Sequence, residues 1–166
     1  MTREITHAQP GDAVAIAGLV NEAYRVEDFF KVGDRTDSRE IAALLERDLF
    51  LVVRDGESEI EGSVYVAVKE GRGYFGMLSV RPSGQGSGVG SALIDAAETF
   101  CSGAGCTAMD LWVVNLREEL RPWYGKLGYA ESGTAPWPED ELHRLSRPAH
   151  FVIMSKPLSP RLEGTS

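Results

Sequence analysis

Residues 74–90 read YFGMLSVRPSGQGSGVG: an apolar strand, a Pro-containing turn, then glycines at 84, 86, 88 and 90. In the residues that follow, SALIDAAETFC (91–101), Ala92, Leu93, Ala96, Ala97, Phe100 and Cys101 recur at helical spacing. The order is strand, glycine loop, helix N-terminus. The first turn of a helix carries N–H groups without intrahelical partners and the positive end of the helix dipole, so such a junction can hold an anion. Glycines strip the loop of side chains and permit positive φ, which lets a phosphate or pyrophosphate reach those N–H groups. Two better-known phosphate loops do not fit. A Walker loop needs Gly-Lys-Ser/Thr, whereas Gly90 is followed by Ser91 and the loop holds no lysine. A dinucleotide GxGxxG started at Gly84, Gly86 or Gly88 puts its third glycine on Val89, Ser91 or Leu93.

The chain has 166 residues, 43% of them hydrophobic and 25% charged, which suits one globular domain with a full core. We expect a single domain over residues 1–157 and a polar tail over 158–166. The N-terminus lacks a signal-peptide apolar core and no apolar run reaches membrane-spanning length, so a cytoplasmic protein is expected. With 17 basic and 25 acidic side chains the net charge is −8, which disfavours nucleic acid and anionic membranes and favours a small or cationic partner. Cys101 and Cys106 are too few for a disulfide scaffold and lack companions for a metal; burial is expected for both.

Outward from the glycine loop, the periodicities place a first strand at 4–8 and a helix over 13–24, capped by Asp12, with Val14, Ala17, Leu19, Val20 and Tyr24 inward. A mixed-charge loop over 25–36 carries Phe29 and Phe30, either against substrate or packed beneath the loop. Asp37 and Glu40 form a capping box ahead of Ile41, Leu44 and Leu45. Strands at 49–55 and 59–70 form a hairpin with Val64, Val66 and Val68 on one face. Arg81-Pro82-Ser83-Gly84 suits a type I turn. A strand at 106–115, a short helix with Pro122 in its first turn that runs up to Leu127 and is ended by Gly128, a weakly patterned stretch over 130–147 and a last strand at 150–158 complete the chain. The order β-α-α-β-β-β-α-β-α-β-β implies a mixed, mostly antiparallel sheet with helices on both faces, α+β in class.

Gln85-x-x-Gly88-x-Gly90 after a strand ending in LSVRP resembles the coenzyme A pyrophosphate loop of the GCN5-related N-acetyltransferases. Three further features fall in matching order: Asn115 at the end of the next strand, Tyr124 nine residues later, and Gly128-Tyr129 completing Tyr-x-x-x-Gly-aromatic. The similarity covers roughly residues 47–157 well, and the N-terminal helices by their order alone.

The resemblance implies an acetyl-CoA-dependent N-acetyltransferase in which the strands carrying Leu78 and Trp112 splay apart to admit pantetheine. Backbone amides of Gln85, Gly86, Ser87, Gly88, Val89, Gly90 and Ser91 would hold the pyrophosphate. The N–H of Leu78 would polarise the thioester carbonyl, Val80 would pair with pantetheine through its main chain, and Asn115 would bond the cofactor arm. Tyr124 would be the acid that protonates the departing thiolate; a phenol of pKa about 10 can donate to a sulfur whose thiol pKa is about 8.5. Two departures stand out. Residues 74–80 hold no carboxylate where many members have a glutamate base, leaving Glu27, Asp28, His7, His150 or a water chain. The spacing from Asn115 to Tyr124 is long, with Pro122 in the extra piece. The acceptor is expected to be a small-molecule or peptide amine, with no metal, nucleic acid or membrane partner and with a homodimer open. A non-catalytic acyl-CoA-binding module, which would show no turnover, is the alternative, and a nucleotide-phosphate binder a third.

Overall fold

In the computed structural model, which describes residues 4–84 and 86–159, the strands join into one seven-stranded sheet. They are β1 (Ile5–His7), β2 (Leu49–Arg54), β3 (Ile60–Lys69), β4 (Arg72–Val80), β5 (Ala108–Val114), β6 (Ala130–Pro136) and β7 (His150–Pro157). Four helices accompany them: α1 (Ala13–Ala23), α2 (Ser38–Arg47), α3 (Val89–Gly103) and α4 (Leu120–Lys126). The sheet order is β1-β2-β3-β4-β5-β7-β6, and every neighbouring pair is antiparallel except β4 with β5. This is the expected mixed α+β architecture.

Alternation along β2 divides the core. Phe50 and Val52 face α1 and α2, while Leu51 and Val53 face the side covered by α3 and α4. Phe50, Ile41, Phe75 and Leu93 are fully buried, and each contributes roughly 1.5–3 kcal/mol of apolar transfer. The helix starts differ from one another in their chemistry. Asp37 caps α2, its Oδ1 accepting from the Glu40 N–H at 2.9 Å. Asp12 does not cap α1 as expected: its carboxylate accepts from the Gln9 N–H at 2.8 Å, closing the short turn Pro10–Asp12, and pairs with Arg54. Val14 also departs from expectation, being 74% exposed on the outer side of α1. Val68 shares the face of Val64 and Val66 as expected and is 40% exposed.

Two features shape the middle of the sheet. Gly73 brings β4 close to α3 and β5: a Cβ there would stand 2.5 Å from Cys101 Sγ and 2.7 Å from Met109 Sδ. The parallel pairing of β4 with β5 then covers only Arg72↔Ala108, Gly73↔Met109 and Tyr74↔Asp110. Beyond Tyr74 the two strands part. The same stretch carries a β-bulge. Ser63 pairs with Ser79 and Tyr65 with Gly76, so Met77 and Leu78 oppose Val64 alone. Met77 adopts φ 51, a left-handed conformation unusual outside glycine. The bulge sends the Met77 side chain to the α1 face although Phe75 lies on the α3 face, and it bends β4 away from β5.

The 130–147 stretch resolves into β6, the inserted edge partner of β7, followed by a helical turn, Glu139–Arg144. Leu158 still packs on the core, its N–H donating to the Thr107 carbonyl at 2.8 Å. Residues 160–166 of the expected tail lie outside the described residues.

Candidate active site where two strands part

The gap between β4 and β5 opens into two cavities. One, of about 710 Å³, runs along the glycine loop and is walled by Leu78, Val80, Gly86, Gly88, Gly90 and Ser91. Gly84 closes the expected type I turn, donating its N–H to the Arg81 carbonyl at 2.8 Å. Gly86 and Gly88 have φ 82 and 88, and Gly88 is the N-cap of the 15-residue α3. A Cβ at either glycine would meet nothing within 4 Å, because both face open space. A cradle without side chains at the positive end of a long helix fits a pyrophosphate. Gln85, the first residue of the recognition pattern, lies outside the described residues.

The second cavity, of about 350 Å³, lies on the other side of the splay, between β4, β5, the segment after α1 and the Glu139–Arg144 turn. The two cavities share Tyr24, Leu78, Arg117, Leu120 and Tyr124 as walls. Two ligands entering from opposite ends would therefore meet beside Leu78 and Tyr124.

Tyr124 is held there by the end of α4. Its carbonyl accepts from the N–H groups of Leu127 at 3.0 Å and Tyr129 at 3.1 Å, as Gly128 leaves the helix at φ 102. Leu120, one turn earlier, shares its face. The ring packs against Trp123, Phe75 and Tyr129 at centroid distances of 4.9, 6.0 and 6.2 Å. Its hydroxyl makes no hydrogen bond with a described residue. Burial, reinforced by Tyr24 and Tyr74 and opposed by Arg117, holds the phenol well above its ordinary pKa. The phenol of Tyr124 therefore keeps its proton at neutral pH. Tyr24 is likewise pushed up, to about 12, chiefly by burial, and Tyr74 is raised for the same reason.

Of the four expected base candidates, Glu27 alone lines the second cavity. It is 4% exposed and bridges Arg117 at 3.0 Å and Lys31 at 3.8 Å. Asp28 lines an adjoining pocket, and His7 sits edge-on to Phe100 at 5.9 Å on the far strand β1. His150 begins β7, where its N–H donates to Asn115 Oδ1 at 2.9 Å. That bond ties the ends of β5 and β7, and Asn115 lines neither large cavity. Val89 turns its side chain into the core, and the Ser87 hydroxyl bonds the Gly84 carbonyl.

In the loop over 25–36 one of the two aromatic rings packs beneath the loop and the other does not. Its first residues form a helical turn, Tyr24–Glu27. Phe30 is fully buried, edge-on to Trp137 at 6.3 Å, while Phe29 is half exposed. Val32 N–H donates to the Arg144 carbonyl, and Ser146 N–H to that of Phe30, both at 2.8 Å, stitching the loop to the 138–147 segment. Lys31, Arg35, Arg117 and Arg144 all reach the cavity wall and were not singled out in the sequence. The one available signal was the mixed charge of the loop.

Several solved structures share this architecture. The ribosomal-protein-S18-alanine N-acetyltransferase from Escherichia coli is 17% identical, with a TM-score of 0.74 and 99% of each chain covered. Nourseothricin acetyltransferase is 20% identical at a TM-score of 0.72, with 95% of this chain and 99% of that one covered. The IAA acetyltransferase from Bacillus cereus is 16% identical at 0.71, with 95% of this chain and 100% of that one covered. Comparison with curated proteins finds no match. The family model for the acetyltransferase (GNAT) family matches residues 16–129, which span the glycine loop, the splay and Tyr124, and the chain belongs to that family.

Proposed function

We propose that the protein transfers the acetyl group of acetyl-coenzyme A to an amine. The observation that carries this is the meeting of the two cavities at Leu78 and Tyr124. Coenzyme A would supply an acetyl group activated as a thioester: the amine nitrogen forms a C–N bond to the carbonyl carbon as the C–S bond breaks. The glycine loop and the N-terminus of α3 hold the pyrophosphate, and the β5-facing edge of β4 beyond Tyr74 receives the pantetheine arm. The Leu78 main chain faces the carbonyl, where an N–H stabilises developing negative charge. Tyr124 gives its phenolic proton to the sulfur, which keeps the bonding electron pair. The nitrogen loses its proton to water, from which Tyr124 is reprotonated. Glu27 lies on the acceptor side but is bonded to Arg117 at 3.0 Å and lies 3.8 Å from Lys31, so its role is to orient the amine rather than to act as a free base.

Release of free thiol from acetyl-coenzyme A, measured over a panel of amines, tests this. Amine-dependent release is expected. Tight binding of acetyl-coenzyme A without release for any amine would overturn the enzyme reading in favour of a binding module.

A further inference from the structure

The chain carries a net charge of −8, yet the acceptor-side cavity has four cationic side chains on its wall, Lys31, Arg35, Arg117 and Arg144, against two carboxylates, Glu27 and Glu141. The cations are not equivalent. Arg117 is saturated by Glu27 at 3.0 Å and Glu119 at 2.8 Å. Arg144 is used up by Glu141 at 3.1 Å and by the carbonyls of Val32 and Asp34. These two build the wall.

Lys31 and Arg35 remain. Lys31 is 5% exposed, and its ion pair with Glu27 is long, 3.8 Å to Oε1 and beyond hydrogen-bond reach, while Oε2 of the same carboxylate bonds Arg117. Arg35 lies over the Tyr24 ring at 5.5 Å and makes no ion pair with a described residue. Asp28 and Asp34 line the adjoining pocket, which Lys31 and Arg35 also border, and neither reaches this cavity or makes an ion pair with the two cations. Burial lowers the pKa of the Lys31 ammonium; Glu27 and Asp28 oppose this, while Arg35 and Arg144 add to it, so the cations act on one another. A buried ammonium without a hydrogen-bonded counterion is a costly arrangement that an incoming anion would relieve. Opposite these charges the wall is aromatic. Trp112, 45% exposed, stands 5.5 Å from Phe151, which stacks on Trp137 at 5.0 Å and 7°.

We propose that the acceptor is a small amine bearing a carboxylate, of amino-acid size, with its acid group held between Lys31 and Arg35 and its carbon skeleton resting on Trp112 and Phe151. This deepens the acetyltransferase reading and rests on it. The amine end then points toward Tyr124 and Leu78, on the wall shared with the coenzyme side. Polycationic acceptors are disfavoured by the same charges.

The test measures kcat/KM by thiol release for leucine, methionine, phenylalanine and tryptophan, each beside its carboxamide and its decarboxylated amine, with spermidine and an aminoglycoside for contrast. At least one free acid is expected to exceed its two partners lacking the carboxylate by about 10-fold or more, since losing the carboxylate leaves buried cations unpaired. In Arg35→Gln and Lys31→Met, checked for folding by circular dichroism and coenzyme A binding, the acid-to-amide ratio should collapse toward one. Turnover of amides, spermidine or the aminoglycoside equal to that of every acid would overturn the inference while leaving the acetyltransferase standing. So would an acid-to-amide ratio unaltered in both variants. Absence of thiol release with every amine would remove both.

Discussion

Arg117 Nη1 lies 3.0 Å from Glu27 Oε2, joining the segment after β5, where Arg117 lines both cavities, to the turn after α1, where Glu27 lines the second. The side chains are 14% and 5% exposed, so the pair is buried. Removing one partner of such a pair strands the other charge. Arg117→Met should therefore lower stability by about 3 kcal/mol, the low end of the usual range because Lys31 stays near Glu27. Adding Glu27→Gln to that variant should recover part of the loss. Urea denaturation of the two single variants and the double variant checks this; purely additive losses would mean that the pair is not coupled.

The phosphate cradle makes a separate prediction. Gly88 has φ 88 and faces open space, so Gly88→Val places a branched side chain in the cradle on a backbone it disfavours. Affinity for coenzyme A should fall at least tenfold, about 1.4 kcal/mol. Calorimetry on a folded Gly88→Val that binds coenzyme A as tightly as the wild type would place the pyrophosphate elsewhere.

Ser63 sits beside the bulge of β4 with its hydroxyl fully buried and without a hydrogen-bond partner among the described residues. An unsatisfied buried hydroxyl is unfavourable, so Ser63→Ala should leave stability unchanged or raise it by up to about 1 kcal/mol. A clear loss in the urea midpoint would show that the hydroxyl has a partner, such as an ordered water.

Alkaline pH should unfold the protein through its buried tyrosines. Burial lifts Tyr24 and Tyr65 to about 12, Tyr65 also donating to Asp48, whereas an unfolded tyrosine titrates near pH ~10. A group whose folded pKa is raised contributes stability that is complete below its unfolded pKa and lost as pH climbs to its folded pKa. Thermal midpoints should hold up to about pH 10 and then fall toward pH 12, together with tyrosinate absorbance. A midpoint unaltered across that window would mean that these phenols ionise as freely as in the unfolded chain.

Much of this architecture was legible in the residues. The glycines after Val80, the Asp37 cap and the alternation through β2 and β3 are local signals, and each produced the element its chemistry specifies. Leu78 and Tyr124 are reached only through the family resemblance, which the glycine loop and the Tyr-x-x-x-Gly-aromatic pattern carry. Lys31, Arg35 and Arg117 could not be picked out, because they occupy irregular segments. Nothing in the periodicity says that the turn after α1 will lie against the segment after β5; that juxtaposition comes from the bulge at Met77 and the opening of β4 from β5. Val14 was misplaced for a related reason: Asp12 closes a separate turn before α1, which sets the phase of the helix.

The direct test of the central claim, transfer at the junction of the two cavities, is Tyr124→Phe. Phenylalanine keeps the ring contacts with Phe75, Trp123 and Tyr129 and removes only the hydroxyl. With chemistry rate-limiting, kcat should fall by about 10²–10⁴-fold, the usual contribution of a general acid, while coenzyme A affinity and Tm stay close to wild type. A Tyr124→Phe enzyme that keeps nearly full kcat would contradict the claim, because the proton on the departing thiolate would then come from water.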